Sequence, residues 1–119
     1  MFTIDSFVLY VTDIHSSMDF YSKAFDCEAT LLSPTFAALT FASNVKITLK
    51  QSDALTPTSK VTGGGTELSI AMTDKQALEN LYKEWRATGI QFEQAPEESV
   101  FGINFVAIDP DGHRIRIFV

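Results

Sequence analysis

Two histidines, His15 and His113, and a single cysteine, Cys27, are the side chains of this sequence best suited to nucleophilic or metal chemistry. None of them sits in a spacing that makes a site. Cys27 follows the first helical stretch with no histidine beside it, so a thiolate–imidazole pair finds no support. No Ser-His-Asp arrangement can be assembled from the spacing either. The run Gly63-Gly64-Gly65 is not followed by a helix or by the Lys-Ser/Thr pair that a phosphate loop requires. His15 falls in a first helical turn and His113 in a closing hairpin turn, where each reads as a surface residue making at most a local hydrogen bond. One cysteine cannot form an intrachain disulfide. That suits a reducing compartment, and a cytoplasmic location is expected.

Any site must therefore be assembled by the fold, and the elements that would do so occur twice. Phe7 to Tyr21 lies over Leu68 to Tyr82, placing Thr12 on Thr73, Asp13 on Asp74 and Tyr21 on Tyr82. Each copy opens with period-2 alternation: Phe7, Leu9 and Val11 against Ser6, Val8 and Tyr10, then Leu68, Ile70 and Met72 against Glu67, Ser69 and Ala71. Such alternation predicts a half-buried strand. A Thr-Asp pair follows in each copy and predicts a helix start, because these side chains accept from the free amides of the first turn. Thr73 with Gln76 has capping-box spacing. Ile14, Met18, Tyr21 and Phe25 then make one apolar helical stripe, and Leu78, Leu81, Tyr82 and Trp85 another. Gly89 ends the second helix.

Three short apolar stretches follow each helix. In the first copy they are Glu28–Leu32, Phe36–Phe41 and Val45–Lys50. In the second they are Ile90–Gln94, Ile103–Ile108 and Arg114–Val119, with Ala95–Gly102 expected as a long loop and Asp109-Pro110-Asp111-Gly112 as a tight turn. The stretch from Ser52 to Gly65 is rich in Ser, Thr, Pro and Gly. The expected architecture is α+β: two tandem β-α-β-β-β modules, residues 1–52 and 66–119, joined by a linker over 53–65 in one compact domain.

The composition excludes several classes. Hydrophobic residues at 45% and charged residues at 20% argue against disorder. A net charge of −6 argues against nucleic acid, which needs a positive surface. No apolar run approaches the roughly 20 residues of a membrane span. Asp5 interrupts the first apolar run and no basic region precedes it, so no signal peptide is expected.

Val11-Thr12-Asp13 followed by Met18-Asp19-Phe20-Tyr21 resembles the opening of a vicinal-oxygen-chelate module. Phe105-Val106-Ala107-Ile108-Asp109-Pro110-Asp111-Gly112-His113 resembles that superfamily's closing hairpin. The resemblance covers nearly the whole chain. It points to the glyoxalase / bleomycin-resistance / dioxygenase group. Gly64, Thr66-Glu67-Leu68, Trp85 and the run from Asp109 to Arg116 are similar to a phenazine-resistance-like subgroup. The resemblance implies that each module's sheet curls around a cavity, that a homodimer is the working form, and that metal-using members carry ligands at four equivalent positions. Those positions hold Ser6, Thr48, Glu67 and Arg116 here. Only Glu67 is a good ligand, and Arg116 would repel a cation. A one-residue slip would turn every side chain to the other sheet face. No metal and no other cofactor is therefore expected.

With the four equivalent positions Ser6, Thr48, Glu67 and Arg116 turned to the cavity as the resemblance implies, strand alternation adds Tyr10, Ser69 and Phe118 to a ligand-binding set. The resemblance, which implies that the loop over Ala95–Gly102 borders the pocket mouth, adds Phe101, and Phe36 is expected to close the pocket in the first module. Arg114, Arg116 and Phe118 share a face, while Ile115, Ile117 and Val119 are expected under the helices. Trp85 reads as core. Glu67 and Arg116 have three open readings: a structural ion pair, anchors for a ligand's polar groups, or Glu67 as a general base. Aromatic walls with sparse polar anchors suit a flat organic molecule. The expected function is metal-independent binding of a small aromatic or amphipathic compound, as in antibiotic resistance. A metal-dependent lyase, isomerase or dioxygenase with an atypical site is the alternative, and a regulatory domain with no ligand is a third.

Overall fold

A computed structural model of the chain describes residues 1–100 and 102–119. The chain divides into two units, Met1–Gly63 and Gly64–Val119. The first runs β1 (Ser6–Val11), α1 (Ile14–Phe25), β2 (Ala29–Ser33), β3 (Phe36–Leu39) and β4 (Lys46–Gln51), then a single 3-10 turn at Ser52–Ala54. The second runs β5 (Glu67–Ala71), α2 (Lys75–Ala87), β6 (Gln91–Ser99), β7 (Gly102–Ile108) and β8 (Arg114–Phe118). Each unit holds an open, mixed four-stranded sheet, in the orders β1-β4-β3-β2 and β5-β8-β7-β6. The first and last strands of each unit are parallel neighbours and the remaining pairs are antiparallel. Parallel neighbours cannot be joined by a hairpin, so the helix and two antiparallel returns carry the chain across.

Both helices start where the Thr-Asp pairs predict. Asp13 caps α1, its Oδ1 accepting from the backbone N–H of His15 (3.0 Å) and Ser16 (3.3 Å). Gln51, at the end of β4, accepts from the Ile14 N–H at 3.1 Å and so ties the last strand to the same helix end. In α2 the cap is Asp74, which accepts from Ala77 at 2.8 Å. The capping-box spacing of Thr73 and Gln76 therefore misplaces the cap by one residue. Gly89 takes φ +86° just past α2, and the following Ile90 N–H donates to the Trp85 carbonyl at 3.1 Å. In α1 the left-handed position is filled by Asp26, at φ 48°.

The apolar stripes are buried as expected. Ile14 and Tyr21 of α1, and Leu78 and Trp85 of α2, are at most 1% exposed. In the first unit α1 packs on β2, β3 and β4, where Ala37 and Leu49 are fully buried. In the second, the Trp85 and Tyr82 rings meet Phe105 at centroid distances of 5.8 and 5.5 Å. Phe25 and Phe41 stack at 4.2 Å beside Tyr21. Side chains of this size, fully buried, each contribute about 1.5–3 kcal/mol relative to exposure.

Three local expectations are corrected. The stretch expected as a loop, Ala95–Gly102, is mostly strand: β6 continues to Ser99 and β7 begins at Gly102. Pro96 misleads because β6 is the sheet edge and its pairing to β7 shifts register around that residue, so no ladder N–H is needed from it. Gly102 has φ +116°, and a Cβ there would run into the Val119 carbonyl oxygen, so only glycine fits. Val119 lies beyond β8 and is 39% exposed, not packed under a helix. His113 is 6% exposed, not a surface residue. The turn folds inward around Asp109, whose Oδ1 accepts from the N–H groups of Asp111 (2.9 Å) and His113 (2.8 Å). Turning the backbone in on a buried carboxylate carries the His113 ring inward with it. His15 is exposed, as expected.

Among the described residues, no helix is long and apolar enough to cross a membrane.

Candidate functional site

The second sheet's helix covers one face, and the other carries a continuous polar row. Ile115 and Ile117 of β8 are fully buried, so Arg114, Arg116 and Phe118 turn to the opposite face. Arg116 Nε donates to Glu67 Oε2 at 2.7 Å. Its Nη1 donates to Asn104 Oδ1 at 2.5 Å. That same Oδ1 accepts from Gln94 Nε2 at 3.0 Å, and Gln94 Nε2 also lies 3.2 Å from the Asn104 carbonyl oxygen. The row Glu67–Arg116–Asn104–Gln94 thus crosses all four strands, from β5 through β8 and β7 to β6. Val106, the register partner of both Arg116 and Gln94, shares their face and is fully buried.

The ion pair is only partly desolvated, with side chains 29% exposed at Arg116 and 35% at Glu67. Burial raises the cost of desolvation, and the second bond to Asn104 offsets part of it. The arrangement fixes the guanidinium in one plane, with Nε and Nη1 engaged.

The corresponding face of the first sheet differs in chemistry. The parallel registers align the units: Ser6 opposite Lys46 corresponds to Glu67 opposite Arg114, and Val8 opposite Thr48 corresponds to Ser69 opposite Arg116. Thr48 is 4% exposed and its hydroxyl donates to the Phe7 carbonyl at 3.4 Å. Ser6, half-buried, offers no carboxylate. Lys46 instead pairs with Asp5 at 3.4 Å, with both side chains largely exposed. Lys50 donates to Thr35 Oγ1 at 2.9 Å and lies 6.0 Å from the centre of the Phe36 ring, its register partner on β3. Tyr10 is the register partner of Lys50 on β1 and is half-buried.

The residues named from sequence therefore fall into two groups. In the second unit Glu67 and Arg116 are bonded, Ser69 lies opposite Arg116 and is exposed, and Phe118 is 37% exposed two residues further along β8. In the first unit Phe36, Tyr10, Thr48 and Ser6 share one sheet face. Phe101 lies outside the described residues. Asn104, Gln94 and Arg114 were missed as site residues. Counting back two positions from Val106 would have put Asn104 on the face of Arg116, but Gln94 required the hairpin register.

A divalent metal of the kind the resemblance implies does not fit these side chains. The Glu67 carboxylate is held by a guanidinium, and the Thr48 hydroxyl is spent on a backbone carbonyl. Among the described residues, no three His, Cys, Asp or Glu side chains come together to hold an ion.

The architecture has well-defined relatives. Residues 3–117 match the Glyoxalase/Bleomycin resistance protein/Dioxygenase superfamily. The chain belongs to that superfamily. It is 26% identical over 113 residues to the phenazine antibiotic resistance protein EhpR of Enterobacter agglomerans, covering 92% of this chain and 86% of that protein. The solution structure of protein ATC0852 from Agrobacterium tumefaciens matches 100% of this chain and 98% of its own, with a TM-score of 0.88 and 32% identity. A glyoxalase/bleomycin resistance protein/dioxygenase from Nocardioides matches 99% of this chain and 83% of its own, at TM-score 0.79 and 19% identity, which is a likeness of fold. The two β-α-β-β-β units are thus the superfamily's modules, and the polar row lies on the face that the second module's helix leaves open.

Proposed function

We propose that this superfamily member binds and sequesters a small aromatic or amphipathic compound without a metal, in the manner of an antibiotic-resistance protein. The observation that carries the reading is the engagement of Glu67 by Arg116, which occupies a carboxylate a metal would need. The kinship with a phenazine antibiotic resistance protein supports a flat heteroaromatic ligand. Apolar area would supply affinity, and the fixed polar row would set orientation. Ser69 and Phe118 complete the proposed binding set on the second unit, and Ser6, Tyr10, Phe36 and Thr48 are the proposed contacts on the first. The same reading takes a homodimer as the working form, checked by light scattering: a mass twice that of the chain supports it and a chain-mass species rejects it.

The experiment is a thermal melt of chelated protein against Mg, Mn, Fe, Ni and Zn, and separately against phenazine. A ligand that binds only the folded form, at about 100 times its Kd, adds roughly 2.7 kcal/mol of stability. A rise in Tm with phenazine and none with metals is expected. A stoichiometric metal with a clear shift would instead favour a lyase, isomerase or dioxygenase.

A further inference from the structure

We propose that Arg114 is the anion-recognising residue of the second sheet's open face, and that the ligand presents a carboxylate or phenolate to it. The proposal rests on the small-molecule-binding reading above and gives that molecule a charge.

Arg114 is half-buried, and its Nε is covered from solvent with no hydrogen-bond partner among the described residues. A covered donor left unpaired is costly, and native proteins rarely leave one without a ligand or a water to meet it. The neighbouring strands offer it nothing. Its register partner on β5 is Glu67, but that carboxylate is turned to Arg116. Its partner on β7 is Ile108, which is apolar. Arg116, two residues along the same face, adds a second positive charge, with Nε and Nη1 already engaged. Glu67 is thus one acid beside two cations.

The first unit supplies an internal control. Lys46 occupies the position equivalent to Arg114, and it is paired with Asp5. The equivalent cation is paired with an acid in one copy and, among the described residues, has no acid of its own in the other. Ile108, the register partner of Arg114, gives an aromatic body apolar surface to lie on beside the guanidinium. The net charge of −6 would by itself favour a cationic ligand. Charges spread over the surface are screened beyond about 8 Å at physiological salt, whereas a half-buried guanidinium acts by direct contact.

The test uses the full chain with phenazine-1-carboxylate and the neutral phenazine-1-carboxamide, measured by calorimetric titration. Wild type is expected to bind the carboxylate at least about tenfold tighter, the scale of one charge-assisted hydrogen bond. Arg114→Gln should abolish the preference, the carboxylate losing at least about tenfold more affinity than the carboxamide. Arg114→Lys, which keeps the charge but lacks Nε, should fall between. If Arg114→Gln does not melt cooperatively, the wild-type Nε–H resonance of Arg114 serves instead. It should move with the carboxylate and stay put with the carboxamide. Equal binding of the two compounds, a preference that survives in Arg114→Gln, or an unmoved resonance would overturn the proposal and assign the covered Nε to water. Carboxamide binding without preference would sink the anion site alone. Binding of neither compound would sink the aromatic-ligand reading with it.

Discussion

The two sheets of this chain are alike on one face and unlike on the other. Under the helices, Leu9 and Val11 answer to Leu68–Met72, and Tyr21 and Trp85 are both fully enclosed. On the opposite faces the equivalent positions hold Ser6 and Thr48 in one unit and Glu67 and Arg116 in the other. Duplicated modules need the same apolar stripe to fold, because burying it supplies the driving force. The open face carries no such demand, so its residues are free to diverge toward a ligand. Thr48 spends its hydroxyl on the backbone within its own sheet, whereas Arg116 spans to a neighbouring acid and amide.

The largest expected effect tests the shared face. Trp85→Ala should cost about 3–5 kcal/mol in urea unfolding, because the cavity would lie against Phe105 with no flexible filler. A loss under ~1 kcal/mol would mean that α2 is a weak part of the fold.

The next effect separates the open faces by exchanging their residues. Thr48→Arg places a guanidinium at a 4% exposed position between Val8 and Ala38, with the cations Lys46 and Lys50 on the same face of its strand, and should cost about 3 kcal/mol. Arg116→Thr, the reverse exchange, leaves Glu67 partly solvated and should cost only about 1–2 kcal/mol. Equal costs would remove the distinction drawn between the two faces.

A smaller effect is set by pH. The backbone N–H groups of Ser16 and His15 hold the Asp13 carboxyl below its ordinary value of 3.8. A pKa lowered by folding gives stability that is complete above the unfolded value and is lost as pH falls through the folded one. Asn caps a helix as well as Asp but lacks the charge that complements the helix dipole. Asp13→Asn should therefore lower Tm at neutral pH, and the difference from wild type should shrink below about pH 4. A difference independent of pH would contradict the charged cap. Lys46→Ala should have the least effect, within about 0.5 kcal/mol, because the pair with Asp5 is exposed and screened. A larger loss would show that the first unit's cation is also structural.

Much of this was legible without coordinates. The offset of the two Thr-Asp pairs, the apolar stripes around Tyr21 and Trp85, and the Asp-Pro-Asp-Gly turn each report a local requirement: an amide to cap, a face to bury, a backbone that must reverse. Local pattern also put Arg114, Arg116 and Phe118 on one face, since strand alternation follows from backbone geometry. Where it failed, the deciding interaction was non-local. Pro96 looked like a loop residue because its neighbour strand was unknown, and an edge position relieves it of donating. His113 looked exposed because burial of a turn depends on what the turn folds against.

The sequence by itself determined the repeat, the helix starts and the strand faces, because these rest on residue type and near-neighbour spacing; the resemblance was needed to put Ser6, Thr48 and Arg116 at the positions of metal ligands. Only the tertiary structure decided that Glu67 turns to Arg116 and away from Arg114, that Asn104 and Gln94 extend the row, and that the Arg114 Nε is left unmet. Those choices depend on strand register and on which of two cations a single carboxylate reaches. Registers join residues tens of positions apart, and no local pattern records them.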